Sequence, residues 1–127
     1  MYARMYAQIL GVVLILVGIL GLILGGGLLL GILNIDIAED IVHILTGGIL
    51  AYVGFGQADE GLVRNVVGAL GIIYLVVGVL GFILPMLFGL IPSGYTVFDD
   101  LLHLVLGVLS LFIAYGLSGG GRQARSI

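Results

Sequence analysis

Four apolar runs, fenced by the few charges in the chain, predict an all-α membrane protein. The expected form is four transmembrane helices, arranged as two tandem, same-orientation helical hairpins in a left-handed four-helix bundle. Three observations lead there. Charged residues make up 9 % of the 127 and hydrophobic residues 61 %, whereas a soluble domain carries about 25 % charge. No charged residue lies between Arg4 and Asp36. The chain also matches itself at an offset of sixty.

The first apolar run, Ile9 to Leu33, exceeds the ~20 residues a helix needs to cross a bilayer. It is too long for a cleaved signal peptide, and no small-residue cleavage pattern follows it. A second run, Ile41 to Gly56, is interrupted by His43 and Thr46. A third extends from Val66 to Ile91. A fourth, Leu101 to Leu117, is interrupted by His103 and Ser110. Only helices and closed barrels satisfy the backbone in lipid, and these runs lack the alternation of barrel strands. Runs two and four reach spanning length only with Glu39–Asp40 and Asp99–Asp100 in their first turns. Runs one and three carry breakers at their ends, Gly25–Gly27 and Pro85 with Pro92, where a kink or a lip is expected.

All four Arg (Arg4, Arg64, Arg122, Arg125) fall on one side of four spans, and Asp36, Glu39, Asp40, Asp99 and Asp100 on the other. The positive-inside rule then places both termini in the cytoplasm, in what is expected to be a prokaryotic plasma membrane. Tyr6, Tyr52, Phe55, Phe112 and Tyr115 would form an inner aromatic belt. One domain, 1–121, is expected, with repeat one at about 6–57, repeat two at about 66–117, and a flexible tail at 122–127 that follows the Gly119–Gly121 linker.

The offset of sixty aligns Leu10–Leu24 with Leu70–Leu84. Gly11, Gly18 and Gly21 meet Gly71, Gly78 and Gly81; Asp40, His43 and Gly47 meet Asp100, His103 and Gly107. Two spans per repeat give both repeats one orientation, unlike the inverted repeats of many transporters. Small residues seven apart make a straight seam for left-handed packing. Gly11, Gly18, Gly21, Gly47, Gly54, Gly71, Gly78, Gly81 and Gly107 are the expected packing residues. No glycine run follows a strand and opens a helix, so none suggests a phosphate cradle.

One polar constellation stands out. Asp-x-x-His starts spans two and four, at Asp40/His43 and Asp100/His103, each preceded by another acid. Residues three apart share a helix face, and His43 shares the seam face with Gly47 and Gly54. Three readings stay open. Acids in a first turn cap backbone N–H groups while each His bonds its Asp or a carbonyl. Alternatively, two Asp and two His could bind a divalent metal, or two His a haem; a di-iron site lacks the further acids on spans one and three. Lastly, Asp and His can relay protons.

Other chemistry is poorly supplied. There is no Cys, so no disulfide or thiolate site, and four Arg without Lys leave no footprint for nucleic acid. Ser93, Ser110 and Ser118 sit in no nucleophile elbow. The expectation is a non-enzymatic structural or accessory protein whose partners are lipid and other membrane subunits or copies of itself.

The segments Tyr6–Gly11, Val17–Gly21, Asp40–Gly47, Leu70–Gly78 and Leu101–Gly107 resemble a bacterial and archaeal family of small four-span membrane proteins carrying a domain of unknown function. In that family a His near the start of spans two and four is the characteristic polar residue, as His43 and His103 would be here. The acids here are more numerous than that pattern needs. The resemblance implies the fold and a membrane location, and no activity.

Overall fold

The computed structural model describes residues 2–117; the expected tail at 122–127, with Arg122 and Arg125, and the linker glycines lie outside them. Four helices dominate: α1 (Tyr2–Leu24), α2 (Ile37–Phe55), α3 (Glu60–Ile83) and α4 (Val97–Leu111), the last continuing through a π-helical turn, Phe112–Leu117. All four are long and apolar enough to cross a membrane. At 1.5 Å per residue, the 23 residues of α1 extend about 35 Å, against ~30 Å of hydrocarbon.

The breakers act earlier than the apolar runs suggest. Helix α1 stops at Leu24, and Leu28–Asn34 forms a small antiparallel hairpin, β1 (Leu28–Leu29) with β2 (Leu33–Asn34), instead of continuing the span to Leu33. Gly25 and Gly27 take φ of +91° and +120°, which a side chain resists and a helix cannot contain. Helix α3 stops at Ile83, not Ile91. Leu84 precedes Pro85, and the proline ring pushes it out of the helical region, to φ −130° and ψ 76°.

Helix starts follow their caps. Asp59 accepts Leu62 N–H at 2.7 Å and opens α3. Thr96 and Asp99 form a reciprocal capping box on α4. Glu60 begins α3 and pairs with Arg4 at 2.9 Å.

Helix α1 packs along α2, and α3 along α4. The glycines set the spacing. A Cβ on Gly11 would sit 2.6 Å from Ala51 N, and one on Gly47 2.7 Å from Gly11 O. A Cβ on Gly71 would meet Ser110 Cβ at 2.9 Å and Gly107 O at 3.1 Å, and one on Gly107 would meet Gly71 O at 2.8 Å. Gly18 faces Asp40 O and Ile44; Gly54 faces Gln8; Gly78 faces Leu104. Lipid gives helices no hydrophobic reason to associate, so this backbone approach holds each pair.

Between the two helix pairs lies a core of small and branched side chains, including Ala3, Ala7, Leu50, Val63, Val67 and Ala114. Hydroxyl pairs cross it: Tyr6 with Ser110 at 2.7 Å and Thr46 with Tyr74 at 2.8 Å.

Candidate functional site: a buried Glu–His–His cluster

The start of α2 points its acids in different directions. Asp36, just before the helix, has no side-chain bond to α2 and serves the loops instead. Its carboxylate accepts from Ser93 N–H (2.7 Å), Ser93 O–H (2.8 Å), Asn34 Nδ2 (3.0 Å) and Gly27 N–H (3.2 Å). Burial raises the Asp36 carboxyl, but these donors outweigh it and hold it below the ordinary 3.8.

Asn34 is the knot between the two loops. Its backbone N–H reaches both oxygens of Asp99 at 3.1 Å, its Nδ2 also donates to Gly94 O at 3.0 Å, and its Oδ1 accepts Asp36 N–H at 3.0 Å. Thr96 Oγ1 adds a bond to Ile32 O at 2.6 Å.

Glu39 turns inward and is 4 % exposed. Oε1 lies 3.0 Å from His43 Nε2, one turn along the same helix, and 3.2 Å from His103 Nε2 on α4. Oε2 accepts the Tyr95 hydroxyl. Tyr95 is held far above its ordinary 10 by burial first and then by the Glu39 charge, so its hydroxyl stays a donor. His103 sits between two aromatic rings: Tyr74 stacks on it at 5.7 Å, and Tyr95 meets it edge-on at 5.1 Å. Alongside, between α2 and α3 and beneath the 87–91 turn, lies a cavity of about 130 Å³ whose lining includes Glu39, Thr46, Tyr74, Tyr95 and His103.

The four residues singled out by Asp-x-x-His therefore divide. His43 and His103 come together, on Glu39 and not on their own Asp. Asp40 and Asp100 do not join them. Asp40 packs its carboxyl against Gly21 of α1, and Asp100 packs against Gly81 of α3. Both are buried, and both Asp40 oxygens and Asp100 Oδ1 have no hydrogen-bond partner among the described residues. The place of Gly21 and Gly81 in the packing is thus to make room for a carboxyl, and the lack of a Cβ is what admits it.

Glu39 and Tyr95 were missed. The signal for Glu39 was available: Glu39 and His43 are four apart, the spacing that best aligns a helical acid with a base. Tyr95 lies in a loop and carried no periodic signal. Glu39 and Asp99, the acids that precede the two Asp-x-x-His motifs, take different places. The longer Glu39 reaches the bundle interior, whereas Asp99 stays at the helix start, bound to Thr96 and Asn34.

The cluster does not fit a haem. Both Nε2 atoms converge on one carboxylate oxygen that fills the space between them, and the neighbouring cavity is well below the ~300 Å³ at which small-molecule sites begin. It does fit an ion. Comparison of the chain with family models, curated proteins and solved structures finds no match.

Proposed function

We propose that this protein is a small, non-enzymatic integral membrane protein with a structural or accessory-subunit role, built from two tandem hairpins of the same orientation in a left-handed bundle. One observation carries the reading: only 33–39 % of each span is buried within the chain, so each helix presents most of its apolar side chains to lipid or to another membrane helix. The paired contacts of Gly21 with Asp40 and Gly81 with Asp100, sixty residues apart, support the tandem repeat. So do the matching approaches of Gly11 to Gly47 and Gly71 to Gly107.

The loops suit the same role. The α2–α3 connection is short, residues 56–59, and the loops at the other end are tied to each other by Asn34 and Asp36. Leu30 and Phe88, both 86 % exposed, hold left-handed backbones at φ 54° and 58°. That conformation is costly for a side chain, and here it directs two apolar groups outward at the level of a membrane interface. Arg4 and Arg64 at the opposite end support cytoplasmic termini.

The test is isolation from the native membrane in mild detergent, with sizing and identification of what travels along. The expected result is a species well above 13.2 kDa, containing other polypeptides or further copies. Changing His43 and His103 together to Leu should lower thermal stability and leave that association intact. A monomer in native membranes, shown by cross-linking, would overturn the reading. So would loss of association in a His43→Leu/His103→Leu variant of unchanged stability.

A further inference from the structure

We propose that Glu39, His43 and His103 bind one divalent transition-metal ion, zinc by ligand type, in a site that ties α2 to α4. Two independent observations converge on it. The first is geometric. Tetrahedral zinc holds His nitrogen and carboxylate oxygen at about 2.0–2.2 Å, which puts neighbouring ligand atoms about 3.3–3.5 Å apart. Glu39 Oε1 already stands 3.0 Å from one Nε2 and 3.2 Å from the other, and all three ligand atoms lie within 4.8 Å of one another. Those two separations are within a few tenths of an ångström of the ligand spacing in a coordination sphere, and the two Nε2 atoms lie within 4.8 Å of each other. Two imidazoles and one carboxylate, with a fourth position left over, are a recurrent zinc set.

The second observation is charge. Asp36, Glu39, Asp40, Asp99 and Asp100 gather where α2 and α4 begin, all at most 6 % exposed. Neither Arg4 nor Arg64, the two described cations, is at that end of the helices. Buried charge is expensive unless paired or bound to metal. Tyr95 donating to the far oxygen of Glu39 is the outer hydrogen bond that orients a ligating carboxylate.

Binding involves no redox change: each imidazole binds through the Nε2 lone pair, any proton on that nitrogen passes to Nδ1 or to solvent, and bonds to the ion replace the hydrogen bonds between the Nε2 atoms and the Glu39 carboxylate. The fourth position takes water or a group entering from the adjoining cavity. The ion class is set by the ligands, since imidazole with carboxylate suits zinc over calcium or magnesium.

The experiment uses the full chain in detergent, stripped with a chelator and titrated with Co²⁺ and with Zn²⁺. The expected result is one ion per chain, with the visible absorption of tetrahedral Co²⁺, displaced by Zn²⁺. Glu39→Ala and His103→Ala should abolish stoichiometric binding, and Tyr95→Phe should weaken it by about 10–100-fold. Asp40→Asn and Asp100→Asn should keep one ion per chain. A folded wild-type protein that takes up neither ion overturns the proposal, as does a His103→Ala variant with unchanged affinity. Should the ligand variants fail to fold, X-ray absorption on the zinc-loaded wild type decides: two imidazoles support the site, and one or none overturns it.

Discussion

His103 Nε2 and Glu39 Oε1 lie 3.2 Å apart although the two residues are sixty-four positions apart in the chain. This contact joins the second helix to the fourth across the bundle, and His43 and Tyr95 converge on the same carboxylate. Three donors on one acid account for the burial of Glu39 in otherwise apolar surroundings.

Removing that acid strands all three donors. In metal-stripped protein, Glu39→Ala should lower stability by about 3–5 kcal/mol, because a buried polar network that loses its centre leaves unsatisfied groups behind. Glu39→Gln keeps one acceptor oxygen but turns an NH₂ toward donors, and should fall between Ala and wild type. Thermal unfolding in detergent, followed by circular dichroism, ranks the three. Equal stability for wild type and Glu39→Ala would show that the network holds nothing together.

The spans were legible because lipid demands long, uncharged helices and leaves few alternatives. The C-terminal ends of the first and third were not. Apolarity continued through Leu28–Leu33, but Gly25 and Gly27 at positive φ end the helix, and Leu30 and Gly31, also at positive φ, turn that stretch into a hairpin. The meeting of His43 and His103 was readable as one possibility, from the repeat and the seam. Their shared acceptor was not readable, because Asp40 and Asp100 match at the offset of sixty, while Glu39 and Asp99 differ by a methylene and go separate ways. Tyr95 needed the fold of the loop to be placed at all.

Asp36 makes the loops before α2 and α4 sensitive to acid. Its carboxyl lies below the ordinary 3.8 in the folded chain because Asn34, Ser93 and Gly27 donate to it, overcoming the opposing effect of burial. A depressed folded pKa gives stability that is present above the unfolded value and lost as pH falls through the folded one. Wild type should therefore exceed Asp36→Asn by about 1–3 kcal/mol at neutral pH. The gap should shrink below pH 3.8. Parallel unfolding midpoints between pH 7 and 3 check this, and a gap that stays constant would mean that shape, not charge, matters at this position.

Arg4 closes the other end. Its guanidinium donates to the carbonyls of Val53 and Gly54 at 3.2 and 3.4 Å, of Gly56 at 3.4 Å, and of Ala58, and to Glu60 at 2.9 Å. One planar fork thus gathers the end of α2 and the following turn. Arg4→Gln should cost about 1–3 kcal/mol, and Arg4→Lys should recover little, since a point charge cannot span those acceptors. Hydrogen exchange at residues 53–60 should rise in both variants. Full rescue by Lys would reduce Arg4 to a topology charge.

The glycines inside the helices divide into seam positions that touch a neighbouring helix and positions that face open space, and the two kinds should respond oppositely to a methyl group. At Gly11 a Cβ meets Ala51 N, Gly47 O and Ala51 Cα at 2.6, 2.9 and 3.0 Å, all backbone atoms that yield only if α2 moves. Helix Gly48 has nothing within 4 Å of the same added atom. Gly11→Ala should thus destabilise by about 1–3 kcal/mol, the usual range for overpacking. Gly48→Ala should stabilise by about 0.5–1 kcal/mol by removing backbone freedom from the unfolded chain. At Gly21 the obstacle is the Asp40 carboxyl, a side chain that can be shortened. Gly21→Ala should therefore be relieved in part by Asp40→Ala in the same chain, whereas no side-chain change on α2 relieves Gly11→Ala. A double-mutant cycle on thermal stability measures the coupling; additivity at Gly21 and Asp40 would mean that the carboxyl does not rest on that glycine.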